Sequence, residues 1–388
     1  MQNSPQTRTE RTFSAWLIIG LVLYLCGFYL APSSKAQYLT LYIGLILPSL
    51  YFAIFHFRRF FLDDQRRLLW VLLIAVALYL PSIWVEDDAL DTLRKNLKCV
   101  IFILSLAIAV RHLHLSSPQL VDRLPPILLA AGVVALMLFY VVLAQEGLQR
   151  NGNLGMGNLG DNPNETGLAL SVSLLILAVS LIPRLRQPKA LLVLPFLIAI
   201  VLANSRAAML GLAVSLPFAV LLERGHNKFA VTWLALCLTG AITIAGLMLA
   251  GYLDAERLLS KRPSLWGEFL SHFPDFNLLW GSGLSGSVTV FSEVQGKKLE
   301  PHSLFFALIL RGGLLALTCY GALIAMVAIK HGRKASQDSI WLYILLFGLT
   351  TQFFEGVYPV RPPNSFWLYT WLPILMILLK TDNKNAHP

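Results

Sequence analysis

Long apolar runs succeed one another along this chain from near its beginning almost to its end, separated by short charged or turn-rich connections. A helical run of about 20 apolar residues crosses a hydrocarbon layer ~30 Å thick. Runs of that order recur at 13–31, 37–57, 68–85, 97–111, 125–145, 165–183, 189–203, 207–222, 229–250, 303–329, 338–355 and 364–380. They are rich in Leu, Ala, Ile and Val and do not alternate in segments of ~10 residues, so the backbone satisfies itself as helix and not as barrel strand. The pattern predicts an all-α polytopic membrane protein, a single membrane domain over 1–388 with about twelve transmembrane helices. One long segment, 251–302, cannot lie in lipid and is expected as a large periplasmic loop between the ninth and tenth spans.

The stretch 190–222 is interrupted only by Asn204, Ser205 and Arg206. As one helix it would extend about 50 Å, too long for a single crossing. A hairpin of two arms near 15 residues each fits better, and the basic sequences on both sides require an even number of crossings between them. Its turn then lies at the outer membrane surface, with Arg206 facing the bundle.

Composition agrees: 56% of residues are hydrophobic and 13% charged, with mean hydropathy +0.65, which excludes an ordinary soluble domain. The formal charge of +10 is unevenly spread. Arg and Lys recur on alternate connections, including Arg58, Arg66, Arg111, Arg123, Arg184, Arg224, Lys330 and Lys380, which places those connections and both termini in the cytoplasm. The first apolar run is too long for a signal peptide and reads as a retained first span. Cys26, Cys99, Cys237 and Cys319 all sit in apolar runs without metal-like spacing and read as packing residues.

Charge enters the apolar runs at Glu165, Arg206, Arg311 and Glu355, each in the outward half of the topology. Ionisable groups at such depth are expensive and face a water- or ligand-filled cavity by default. A polar pocket open to the periplasm beneath the long loop is the functional reading. The alternative is that Glu165 and Glu355 mark helix ends and Arg311 snorkels.

Within the loop, Leu258, Leu259, Leu265, Trp266, Phe269 and Leu270 recur at roughly helical spacing, broken at Pro263, as short amphipathic helices on the membrane surface would. Arg262 stands where a helix begins with Pro263 in its first turn, a place suited to phosphate oxygens. Pairing with Glu268 or with lipid headgroups is the alternative. The Gly/Ser-rich run after Trp280 lacks the strand and Lys-Ser/Thr of a phosphate-binding loop and reads as a flexible cover. His302 opens the next span and, apart from His272, is the one histidine expected outside, hence the best proton acceptor near neutral pH. Arg311 lies nine residues on, ~13 Å deeper along a continuous helix.

The ordered motifs NPNETGLAL, LANSRAAMLGL, SKRPSLWGEFL with LWGSGLSG, and PHSLFFALILRGGLL resemble the O-antigen ligase and polymerase superfamily over roughly residues 150–330. The resemblance implies a GT-C-type integral-membrane glycosyltransferase, metal-independent and inverting, whose donor is a glycan on undecaprenyl pyrophosphate. In the ligase branch the acceptor is lipid A-core. It implies pyrophosphate binding by Arg206 and Arg262 and catalysis by His302, with Arg311, Asn164 and Trp266 as supporting residues. Pro301 departs from relatives that carry a second histidine there, which puts a two-histidine scheme in doubt. No cofactor, metal ion or nucleic-acid partner is expected. A polymerase, using a second lipid-linked glycan as acceptor, and a protein O-oligosaccharyltransferase remain alternatives of the same class. A transporter is the alternative outside it, although its ionisable groups belong near the membrane midplane.

Overall fold

A computed structural model describes residues 7–57, 66–78, 82–85, 89–146, 163–181, 191–224, 262–273, 276–283, 288–292, 297–332, 339–356 and 364–380. The described chain is almost entirely helical. Its helices are α1 (Arg8–Leu30), α2 (Ser34–Phe55, with a π-helical middle), α3 (Arg66–Ala77), α4 (Ser82–Val85), α5 (Ala89–Ser116), α6 (Pro118–Glu146) and α7 (Pro163–Leu181). There follow α8 (Val193–Leu202), α9 (Arg206–Arg224), α10 (Arg262–Ser271), α11 (Leu304–Gly332), α12 (Ser339–Thr351) and α13 (Trp367–Leu378). A small antiparallel hairpin of β1 (Val290–Ser292) and β2 (Lys297–Leu299) precedes α11.

Seven of the described helices are long and apolar enough to cross a membrane, namely α1, α2, α5, α6, α7, α9 and α11, with α8, α12 and α13 shorter apolar helices. The protein is therefore membrane-embedded. The span expected at 229–250 and the first part of the long loop, 251–261, lie outside the described residues. Within the described residues 191–224 the expected hairpin is present but unequal, ten residues in α8 against nineteen in α9, and both arms pack on α7. The helix expected over 338–355 stops at Thr351, so Glu355 stands beyond it.

Local sequence explains the boundaries. Thr7 caps α1 by accepting from the Glu10 amide at 3.2 Å, with Glu10 in the first turn. Ser117 alone separates α5 from α6, which opens on Pro118, proline being at home in a first helical turn. The main core is an apolar cluster running through α1 to α3, α5 to α9 and α11 to α13, anchored by buried Trp367, Trp371, Tyr24 and Phe52, and a smaller one joins Leu265 and Phe269 of α10 to Val288 and Leu310.

Hydrogen bonds show which helix ends lie together. At one end Lys330 of α11 donates to the carbonyls of Leu378 and Lys380 at 2.7 and 2.8 Å, and Arg111 of α5 to that of Leu379 at 2.9 Å. These cations satisfy the terminal carbonyls of α13 and complement its dipole. Tyr343 and Glu223 meet at 3.0 Å at the start of α12 and the end of α9. At the other end, the Leu304 amide opening α11 bonds to the carbonyl of Gln352 at 2.9 Å, just past α12. Gln352 also donates to Thr370 at the start of α13, at 2.8 Å.

Candidate functional site

The end of the bundle marked by Gln352 collects the first turns of four helices. Glu355 is the hub: its Oε1 accepts from Nη2 of Arg262 at 2.8 Å and from Nδ2 of Asn164 at 3.0 Å. Arg262 is the first residue of α10 and Asn164 lies in the first turn of α7. The α8–α9 turn joins them, because the Ser205 hydroxyl donates to the Asn164 carbonyl at 3.4 Å. That approach needs Gly167, where an added Cβ would collide with the Ser205 side chain. Asn204 takes φ 51°, a left-handed conformation asparagine tolerates, and reverses the chain so that Arg206 opens α9 beside this contact.

His302 is fixed from two directions. The Trp266 indole N–H, one turn along α10 from Arg262, donates to the Pro301 carbonyl at 3.1 Å. The Trp266 ring also lies against Phe306 and Phe354, with centroids 5.8 and 6.0 Å away. Two residues after His302, Leu304 bonds to Gln352 and packs against Gly356. His302 itself is exposed and holds φ 45°, a costly conformation for a non-glycine residue that its fixed neighbours impose.

Arg311 lies just before a break in α11 that the hydrophobic pattern does not predict. Gly313 has φ 66° and ψ −168°, which divides α11 into two helices at an angle. The rings of Phe305 and Tyr320 consequently lie 6.4 Å apart, where fifteen residues of continuous helix would separate them by about 22 Å. The break falls two residues after Arg311, so the helix that carries Arg311 away from His302 is continuous from residue 304. Arg311 is 2% exposed, built into the broken end of α11, and pairs with Glu300 at 3.4 Å. Arg262, Asn164 and Trp266 are brought together with the backbone around Arg206 and His302, whereas Arg311 belongs to the α11 break.

The electrostatics follow from this arrangement. The N-termini of α7, α9, α10 and α11 carry partial positive charge, to which Arg206 and Arg262 add full charges. Burial pushes the Glu355 carboxyl above its usual range, Arg262 pulls against that, and nearby Glu165 pushes the same way as burial. Glu268 was the sequence candidate for pairing Arg262; the structure gives that place to Glu355, 93 residues away. The sequence signal for Glu355 is its place among the four charges that enter apolar runs on the outward side, which marks a pocket but not a partner.

No protein-family model, curated protein or solved structure matches this chain.

Proposed function

We propose that the chain is an O-antigen ligase-type glycosyltransferase, moving a glycan from undecaprenyl pyrophosphate to lipid A-core. The observation that carries this reading is the convergence of four helix N-termini, two of them beginning with arginine, on Glu355 and next to His302. The ordered motifs support the same class. In this reading the membrane domain has about twelve spans and a GT-C-type architecture in the bacterial inner membrane. The Lys330–Arg111 end would face the cytoplasm with both termini, and the Glu355 end the periplasm.

Arg262 exchanges its single contact with Glu355 for the doubly charged pyrophosphate, which Arg206 binds as well, and guanidinium forks suit such oxygens. The imidazole of His302 takes the proton of the acceptor sugar hydroxyl as that oxygen attacks the anomeric carbon. The bond from that carbon to the phosphate oxygen breaks, its electron pair leaving with undecaprenyl pyrophosphate, and the centre inverts. The arginines stabilise the charge on the leaving group, the task a metal ion performs in other transferases. The undecaprenyl chain lies in an apolar groove between helices. Deleting the gene is expected to remove all O-antigen-bearing lipopolysaccharide from a gel while lipid-linked polymer accumulates. Capping by a single repeat would assign a polymerase instead, and an unchanged ladder would contradict both.

A further inference from the structure

The turn of residues 276–283 has a construction the transferase reading does not use. Its five consecutive amides from Leu279 to Gly283 all have acceptors. Leu279 and Trp280 donate to the Asn277 side-chain oxygen at 3.1 and 3.2 Å, and Gly281 to the Asn277 carbonyl at 2.6 Å. Ser282 and Gly283 donate to the carbonyls of Leu310 and Arg311 at 2.8 and 2.9 Å, and the Leu278 carbonyl accepts from Leu314 at 2.8 Å. The turn thus fills the hydrogen bonds that the break at Gly313 leaves open in α11. Irregular backbone survives at membrane depth only when its polar groups are satisfied in this way.

Three consecutive side chains of the same turn are apolar and exposed. Leu278, Leu279 and Trp280 are 37%, 55% and 41% exposed, beside Leu314 at 50% on the second half of α11. Trp84, 71% exposed, stands against Trp280 with ring centroids 6.3 Å apart. From Leu314 to His331 the second half of α11 has eighteen residues, about 27 Å of helix, the length of one hydrocarbon crossing. Leu314 therefore stands at the start of that crossing, and paired tryptophans at that level are the residues a membrane interface selects.

We propose that residues 276–283 form a membrane anchor, in which Leu278, Leu279 and Trp280, flanked by Trp84, enter the acyl-chain boundary of the bilayer. The partner is bilayer lipid. The anchor ties the loop ahead of His302 to the membrane and to the break in α11, where a free cover would sample solvent.

The test uses the full-length chain with its four cysteines replaced by serine, reconstituted in phosphatidylcholine–phosphatidylglycerol vesicles. A nitroxide is attached at Leu279→Cys and, in a separate protein, at Trp280→Cys. Exposed Met137→Cys in the middle of α6 gives the lipid reference and exposed Lys298→Cys the aqueous one. Collision with oxygen relative to a water-soluble nickel chelate is read by paramagnetic resonance. Either loop position is expected to give an oxygen-to-nickel ratio several-fold above that at Lys298, approaching that at Met137. A ratio equal to that at Lys298 at both positions overturns the anchor, with elution as a monodisperse species confirming that the labelled proteins are folded.

Discussion

Glu355 holds together three segments that the sequence keeps far apart, through one oxygen shared by Arg262 and Asn164. Removing that oxygen in Glu355→Ala leaves two half-buried donors without it and is expected to cost about 1–3 kcal/mol, read as a lower thermal midpoint in detergent. Glu355→Gln retains an acceptor and should lose less. The pH dependence separates charge from contact. Burial raises the Glu355 carboxyl above its ordinary 4.5, so the folded state binds more protons than the unfolded one in that window. Stability should therefore fall as pH climbs from about 4.5 through the raised value and then level off. Glu355→Gln should flatten this dependence; an identical slope in both proteins would remove Glu355 as its source.

The most constrained element is the junction of α11 with the turn before it. Gly313 has φ 66° and Gly281 φ 73°; an added Cβ would run into the Leu279 carbonyl at the first and the Arg311 carbonyl at the second. Both clashes are with backbone, which cannot swing aside. Gly313→Ala and Gly281→Ala are each expected to lower stability by at least about 1–3 kcal/mol, the range for a strained backbone conformation. Gly321→Ala, in the same helix with open space around it, should be neutral or stabilising, since alanine is favoured over glycine in a helix by about 1 kcal/mol. Equal melting of all three variants would contradict the junction.

This junction also shows where sequence reasoning stopped. Hydrophobic periodicity located the apolar helices and the α8–α9 reversal, because lipid imposes length and composition on every span. It passed over the break at Gly312 and Gly313, since two glycines in an apolar run are compatible with a straight helix. What distinguishes the break is the set of hydrogen-bond partners offered by residues 276–283, two amides and a hydroxyl that donate and one carbonyl that accepts, a tertiary fact. Glu355 is legible as a charge entering an apolar run, beside a polar pocket or at a helix end, but its pairing with Arg262 and Asn164 is not. Pairing across 93 residues leaves no local spacing to read.

On the scale of the whole molecule, two chemically different ends follow from one bundle. Lys330 and Arg111 close the carbonyl ends of α13 on one side, and four helix N-termini gather on the other. Arg206→Ala, Arg262→Ala and His302→Ala are each expected to reduce transfer by 100-fold or more, on the order found when one charge-stabilising or acid–base group is removed, with normal protein levels in the membrane. In the proposed transfer arginines take the place of a metal ion, so a chelator should leave the rate unchanged.

The most direct measurement combines the purified, reconstituted chain with undecaprenyl-pyrophosphate-linked glycan and lipid A-core in the presence of a chelator, and follows the joined glycolipid on a gel. Product is expected from the unaltered protein and not from His302→Ala or Arg262→Ala. No product from the unaltered protein, or undiminished product from both variants, would contradict the proposed transferase.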